Sequence, residues 1–134
     1  MNHWLLKSEP SAYGWADLVR DRATRWDGVR NAQAAIHLRA MQPGDEILIY
    51  HSMTEKAAVG IARVAGPAEP DGPDGKWAAV PIAPVSPLPR PVTLGAMKAD
   101  PRLAGMAMIR QSRLSVSPVT AEEWAAILDL AASA

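Results

Sequence analysis

The segment Trp26-Asp27-Gly28-Val29-Arg30-Asn31 combines the residue types that hold a nucleobase. Trp26 stands next to a turn marked by Asp27-Gly28, and Asn31 is placed to begin a helix. Such a junction offers an aromatic face, free backbone N–H groups and an amide side chain within a few residues. Proteins hold bases by stacking on the ring face and by hydrogen bonding along the base edge. Taken alone, the segment fits a core tryptophan followed by an ordinary Asn cap equally well.

Two further polar groups stand where short apolar runs end. Lys7-Ser8-Glu9-Pro10 ends the first apolar run, and Tyr50-His51-Ser52 ends the run that begins at Glu46. Ser8 and Glu9 supply hydrogen-bonding groups, and His51 is a candidate acid–base group. For each group taken alone, a solvated strand end is the favoured interpretation.

The stretch Arg110-Gln111-Ser112-Arg113 places two guanidinium groups among polar residues. Guanidinium groups bind phosphates and base edges, often in a bidentate manner. Arginines are also common on any protein surface, so a solvated strand end is the competing interpretation here as well.

Sequence motifs of the common enzyme classes are absent from the chain. Cysteine does not occur, and the three histidines have neither HxxxH nor HxH spacing. A P-loop, a dinucleotide-binding GxGxxG, a GxSxG elbow and an HExxH helix are also missing. The sequence therefore predicts a binding module with no cofactor and no metal. A small enzyme acting on a modified nucleotide through His51, Glu9 or Asp27 is one alternative, and a protein-interaction adaptor is another.

The chain is electrically neutral, with 14 Lys and Arg residues against 14 Asp and Glu residues. Proteins that hold long nucleic acids through many phosphates are usually basic. A nucleic-acid role for this chain therefore predicts a local pocket that reads one or a few nucleotides.

The length of 134 residues, 49% of them hydrophobic, predicts a single domain over residues 1–134. The N-terminus lacks a signal-peptide pattern, and no apolar run approaches the roughly 18 residues that span a membrane. We therefore expect a cytoplasmic protein with no membrane partner.

Short apolar runs separated by proline and glycine predict a mixed α/β (α+β) fold. Predicted strands cover 3–8, 46–51, 57–64 and 77–85, and a last hairpin lies within 106–119. Predicted helices cover 11–20, 31–41 and 121–130, and residues 69–76 are expected to form a mobile loop. Pro81 and Pro84 predict that their strand lies at a sheet edge or contains a bulge, and Gly60 predicts a bulge or a close approach. The elements together predict a small, mostly antiparallel β-barrel of five to six strands with flanking helices.

Five segments in this order resemble the EVE-domain family. The segments are Trp4-Leu5-Leu6-Lys7-Ser8-Glu9-Pro10, Trp26-Asp27-Gly28-Val29-Arg30-Asn31, Pro43-Gly44-Asp45, Tyr50-His51-Ser52 and Arg113-Leu114-Ser115-Val116-Ser117-Pro118-Val119. The resemblance implies a PUA-like barrel related to the YTH and ASCH folds. It also implies a reader of modified bases, above all C5-modified cytosine in DNA, with modified RNA as the alternative partner.

Carried onto this sequence, the resemblance implies a nucleobase-binding pocket with Trp26 as its stacking wall. The other implied pocket residues are Ser8, Glu9, Val29, Arg30, Asn31, Tyr50, His51, Ser52, Arg110, Ser112, Arg113 and Leu114. Where many members of the family carry aromatic residues, this chain has Ala32 and Ile49. The implied pocket is therefore less aromatic than theirs.

Overall fold

The computed structural model describes residues 2–53 and 55–132. Its strands are β1 His3–Ser8, β2 Thr24–Trp26, β3 Glu46–His51, β4 Ala57–Val64, β5 Glu69–Asp71, β6 Trp77–Thr93 and β7 Val116–Val119. Its α-helices are α1 Pro10–Tyr13, α2 Trp15–Asp21, α3 Ala32–Ala40, α4 Leu94–Ala99, α5 Ala107–Arg110 and α6 Ala121–Ala132, and a 3-10 turn covers Pro101–Leu103.

The strands form one curled, mostly antiparallel sheet in the order β2-β6-β4-β3-β1-β7, with β5 paired to β6. Only β1 and β3 run parallel among the described strands, and Ser8 lies opposite His51 in their register. The carboxyl ends of these two strands therefore meet at the same edge of the sheet. The predicted fold class is confirmed, as a half-barrel with flanking helices.

Side chains of β1 alternate between two apolar cores, one on each face of the sheet. Trp4 and Leu6 belong to the first core, which α2 and α3 cover. Leu5 belongs to the second core, which α4, α5 and α6 cover. By the same alternation Ser8 shares the face of the first core, and Lys7 shares the face of the second.

The strand count differs from the prediction because two strands are very short. Seven strands are present in the described residues, whereas five to six were expected. The β2 and β5 strands have three residues each, which is too few to produce a visible alternation. As a consequence, residues 69–71 of the predicted mobile loop form a strand that pairs with Trp77–Ala79.

Three other expectations need correction. The helix predicted over 11–20 is divided at Gly14, which caps the start of α2. The backbone N–H of Gly14 donates to Asp17 Oδ2 at 2.7 Å. The predicted last hairpin is wrong, because residues 107–110 form a helix and β7 pairs with β1. Pro81 does not lie at an edge, since β6 has β2 on one side and β4 on the other. A register shift opposite Pro84 confirms the expected bulge.

None of the helices in residues 2–53 and 55–132 is long and apolar enough to span a membrane.

Candidate functional site

The end of β1, the helix α1 and the strand β2 enclose a concavity that we call the Trp26 pocket. It is lined by Ser8, Glu9, Ala12, Tyr13, Thr24, Arg25, Trp26 and Asp27. Its volume of about 490 Å³ lies within the range typical of small-molecule sites. Tyr13 meets Trp26 edge-to-face, with ring centres 6.3 Å apart and planes at 80°. The pocket thus has two aromatic residues in contact, with two carboxylates, two aliphatic hydroxyls and a guanidinium around them.

The loop after Trp26 is held in place by the carboxylate of Asp71, at the end of β5. Asp71 accepts from the backbone N–H of Gly28 at 3.0 Å and from Arg30 Nη1 at 2.9 Å. Arg25 adds a longer contact to Asp71 at 3.4 Å and a shorter one to Glu69 at 3.0 Å. The hydrogen bonds from Arg30 and from Gly28 hold the pKa of Asp71 well below its usual range, so this carboxylate stays ionised at neutral pH. We call this arrangement the Asp71 clamp.

A second concavity lies on the other face of the sheet, and we call it the lysine cavity. It is lined by Lys7, Tyr50, Ser52, Met53, Lys56, Leu94, Lys98, Met108, Ile109 and Ser112, and its volume is about 210 Å³. Burial raises the pKa of the Tyr50 hydroxyl and lowers the pKa of the Lys7 ammonium.

A third concavity, the arginine cleft, begins where the lysine cavity ends, because Ser112 lines both. Its other lining residues are Asn31, Gln33, Arg110, Gln111, Arg113 and Leu114. The predicted helix cap is confirmed here, since Asn31 Oδ1 accepts from the backbone N–H of Ala34 at 2.9 Å. The same Asn31 therefore begins α3 and contributes to this cleft.

The EVE domain model matches residues 2–130 of the chain. The chain belongs to the EVE-domain family. Its relatives include human thymocyte nuclear protein 1, which is 30% identical over 165 residues that cover 96% of this chain and 73% of the relative. The NMR structure of a Rhodopseudomonas palustris protein is similar, with a TM-score of 0.93. The two sequences are 46% identical, and the match covers 98% of this chain and 93% of the other. A crystal structure of human THYN1 protein in complex with 5-methylcytosine-containing DNA is also similar, with a TM-score of 0.94. The two sequences are 30% identical, and the match covers 100% of this chain and 99% of the human one.

In this EVE domain, Ser8 brings an unpaired hydroxyl to the Trp26 pocket. Its Oγ is buried and has no hydrogen-bond partner among the described residues. Its carbonyl, in contrast, accepts from both the backbone N–H of Ser52 at 2.8 Å and the Ser52 hydroxyl at 3.1 Å. Ser52 therefore fixes the backbone of Ser8, and the Ser8 hydroxyl remains available to a ligand.

His51 of the EVE domain has both ring nitrogens occupied. Nε2 accepts from the backbone N–H of Trp15 at 3.0 Å, and Nδ1 lies 2.8 Å from Glu55 Oε1. Because Nε2 is an acceptor, Nδ1 carries the proton and donates it to Glu55. His51 thus ties α2 to the end of β3, and it does not line the Trp26 pocket.

The thirteen residues implied for the pocket of an EVE domain are divided among these places. The Trp26 pocket contains Ser8, Glu9 and Trp26. The arginine cleft contains Asn31, Arg110, Ser112, Arg113 and Leu114, and the lysine cavity contains Tyr50, Ser52 and again Ser112. Val29 packs against the first core, Arg30 belongs to the Asp71 clamp, and His51 holds α2.

Sequence reasoning missed Tyr13, Thr24 and Arg25 as pocket residues. Tyr13 is half-buried, and its hydroxyl donates to Asp21 Oδ2 at 2.9 Å. A usable signal was Pro10, which begins a helix directly after the Ser8-Glu9 strand end and returns the chain beside it. Nothing in the sequence marks Thr24–Trp26 as a strand that pairs with Val80–Ile82.

Replacing the clamp carboxylate tests whether it positions Trp26. We expect Asp71→Asn to weaken ligand binding in the Trp26 pocket, by less than loss of the Trp26 ring, while the protein stays folded. The neutral amide keeps the shape of the side chain but weakens the charge-assisted bonds to Arg30 and Gly28. Asp74→Asn is the matched control, since Asp74 lies in the turn that follows β5 and its carboxylate accepts from the backbone N–H of Lys76 at 3.1 Å. Equal binding by the two variants in calorimetry would show that the clamp does not matter.

Proposed function

We propose that this EVE domain binds a modified cytosine in DNA and holds the base against Trp26. The observation that carries the proposal is the Trp26 pocket, which places an aromatic ring beside hydrogen-bonding groups. The human THYN1 protein, whose structure holds DNA containing 5-methylcytosine, supports it because the two chains align over their whole length.

The chemistry of the pocket favours cytosine. Cytosine presents an exocyclic amino donor, and the Glu9 carboxylate at the pocket is an acceptor of the type that pairs with it. Ala12 offers the kind of apolar contact that a methyl group on a pyrimidine ring receives. Extruding a base costs a few kcal/mol and stacking returns about 1–3 kcal/mol, so polar contacts of this kind are required.

Binding is favoured over catalysis because the candidate acid–base groups are already engaged. His51 has no free ring nitrogen, and Asp27 accepts from Arg25 Nη1 at 3.1 Å. Glu9 alone does not supply both a general acid and a general base. The part of the chain that the structure describes also contains no cluster of His, Asp and Glu residues suited to a metal ion.

The Ser8 hydroxyl provides the test of this proposal. We expect Ser8→Ala to leave the unfolding free energy unchanged or slightly higher, because an unpaired buried hydroxyl is removed. We expect the same change to weaken binding of the modified base by roughly 2- to 13-fold, the effect of one hydrogen bond worth about 0.5–1.5 kcal/mol. Calorimetric titration with oligonucleotides carrying cytosine, 5-methylcytosine, 5-hydroxymethylcytosine or N6-methyladenine, as DNA and as RNA, measures both affinity and choice of base.

Ser117→Ala is the matched control for Ser8→Ala. Ser117 on β7 also has a buried hydroxyl without a partner among the described residues, but it does not line the Trp26 pocket. We expect its substitution to leave binding unchanged. A wild-type protein that binds all the oligonucleotides equally would overturn the proposal, and tighter binding of the RNA series would move it from DNA to RNA.

The proposed DNA ligand bears on the cellular compartment in which the protein acts. A reader of DNA acts in the compartment that holds DNA, and the animal relatives are named as nuclear proteins. For this chain the cytoplasmic location stays a prediction.

A further inference from the structure

The lysine cavity concentrates positive charge on a chain that is neutral as a whole. Three of the residues that line it are lysines, and none of its lining residues is Asp or Glu. Other cations of the protein do have acidic partners, as Arg20 has Asp17 and Arg102 has Asp100. Within residues 2–53 and 55–132, by contrast, the three cavity lysines form no ion pair. An uncompensated cluster of this kind attracts an anion.

The ammonium group of Lys7 is held in a fixed position in this cluster of lysines. Its Nζ donates to the backbone carbonyl of Ser112 at 2.7 Å and lies 5.9 Å from the centre of the Tyr50 ring. The side chain is half-buried, and burial lowers the pKa of its ammonium. A partly dehydrated cation without a carboxylate partner is stabilised by a bound anion, which replaces the lost hydration.

The floor of the lysine cavity is apolar and the volume is small. Leu94, Met108 and Ile109 contribute aliphatic surface, and Ser52 and Ser112 lie beside them. A volume of about 210 Å³ is below the usual range for a complete drug-sized ligand. The cavity therefore suits a compact group with an anionic end and a less polar body.

The lysine cavity and the Trp26 pocket lie on opposite faces of the sheet at the end of the same strand, β1. Lys7 and Ser8 are successive residues of β1, so their side chains leave the strand on opposite faces. Ser8 lines the Trp26 pocket, whereas Lys7, Tyr50 and Ser52 line the lysine cavity. Both concavities thus include the carboxyl end of β1, which lies beside the carboxyl end of β3.

We propose that the lysine cavity binds a sugar-phosphate group of the nucleic-acid strand, with the phosphate held by Lys7, Lys56 and Lys98 and the sugar on the apolar floor. As a contact to the bound strand, this inference rests on the proposed function, because the strand is the one whose base enters the Trp26 pocket. The contact supplies affinity without reading sequence. The arginine cleft, with Arg110 and Arg113, continues the same basic surface past Ser112.

The double variant Lys56→Gln/Lys98→Gln tests the cavity, since both side chains are exposed and their loss leaves the core intact. We expect the affinity for DNA to fall about tenfold, the effect of one charge-assisted hydrogen bond, and to fall equally for cytosine and 5-methylcytosine oligonucleotides. We also expect the plot of log affinity against log salt to become shallower by about 1. Arg63→Gln is the control, because Arg63 is an exposed cation on β4 outside the cavity. If the double variant behaves like Arg63→Gln, the proposal is overturned.

A neutral methylphosphonate in place of the phosphate beside the modified base locates the contact in the DNA. We expect it to weaken binding to the wild-type protein and to have little further effect on the double variant, because both changes remove the same interaction. Additive losses would overturn a phosphate contact in this cavity.

Titration with inorganic phosphate and with deoxycytidine monophosphate, followed by amide NMR signals, separates the two proposals. We expect wild-type signals of Lys7, Tyr50 and Ile109 to shift and those of the double variant to stay in place. This outcome supports the cavity even if no base is preferred, in which case a free phosphate ester is the ligand. If these signals do not shift and the wild-type protein still prefers one modified base, phosphate binding in the lysine cavity is overturned and base binding in the Trp26 pocket is not.

Discussion

Trp26→Ala is expected to lower the affinity for DNA carrying a modified cytosine by about 5- to 150-fold. The estimate corresponds to the loss of stacking worth about 1–3 kcal/mol for one base. Trp26 is half-buried, stands edge-to-face with Tyr13 and lines the pocket, so we expect the part of its ring that faces the pocket to receive the base. Calorimetric titration with the preferred oligonucleotide measures the loss, and the same titration with unmodified DNA measures selectivity.

The control for this prediction must separate stacking from folding, because Trp26 also packs against the first core. Trp26→Phe keeps a ring at the same position of β2 and should retain part of the affinity. Thermal unfolding of both variants shows whether the domain remains folded. A folded Trp26→Ala protein that binds with wild-type affinity would exclude Trp26 as the stacking wall.

Local rules explain which features the sequence predicts well. The capping box of α6 is confirmed, since Thr120 Oγ1 accepts from the backbone N–H of Glu123 at 3.1 Å and Glu123 Oε1 accepts from that of Thr120 at 3.0 Å. Both partners lie within one helical turn, so the pattern is visible in four residues. The Asn31 cap of α3 is confirmed for the same reason.

Features that depend on distant partners were not predictable from the sequence. The Asp71 clamp joins residues 41 and 43 positions apart, and no spacing rule relates Asp71 to Arg30 or Gly28. The division of the implied site among three concavities has the same origin. Neighbouring residues of one strand face opposite sides of a sheet, so Lys7 and Ser8 reach different cavities although the motif that contains them is continuous.

The neutral composition also concealed an uneven distribution of charge. Several acidic residues pair with arginines, in the Asp71 clamp and beside Arg20 and Arg102. No carboxylate is among the residues that line the lysine cavity. Net charge bears on the overall attraction to nucleic acid, and it carries no information about a local basic surface.

Gly60→Ala is expected to lower the unfolding free energy by about 1–3 kcal/mol, the usual cost of forcing extra volume into a packed core. The predicted close approach at Gly60 is confirmed, because a Cβ atom there would lie 2.5 Å from Cε3 of Trp15 and 2.6 Å from Cδ2 and Cε2. The ring cannot easily retreat, since the backbone N–H of Trp15 is fixed to His51 Nε2 at 3.0 Å. Urea denaturation followed by tryptophan fluorescence measures the loss.

Gly105→Ala is the matched control, because a Cβ atom at Gly105 would have no neighbour within 4 Å. Its unfolding midpoint should stay close to that of the wild type. Trp15 begins α2, and α1, which carries Tyr13, ends only two residues before it. Displacing Trp15 should therefore also move the Tyr13 side of the Trp26 pocket and weaken base binding. Equal midpoints for the two alanine variants would mean that Trp15 does not lie over β4, and the pocket wall would then lack the support that this packing provides.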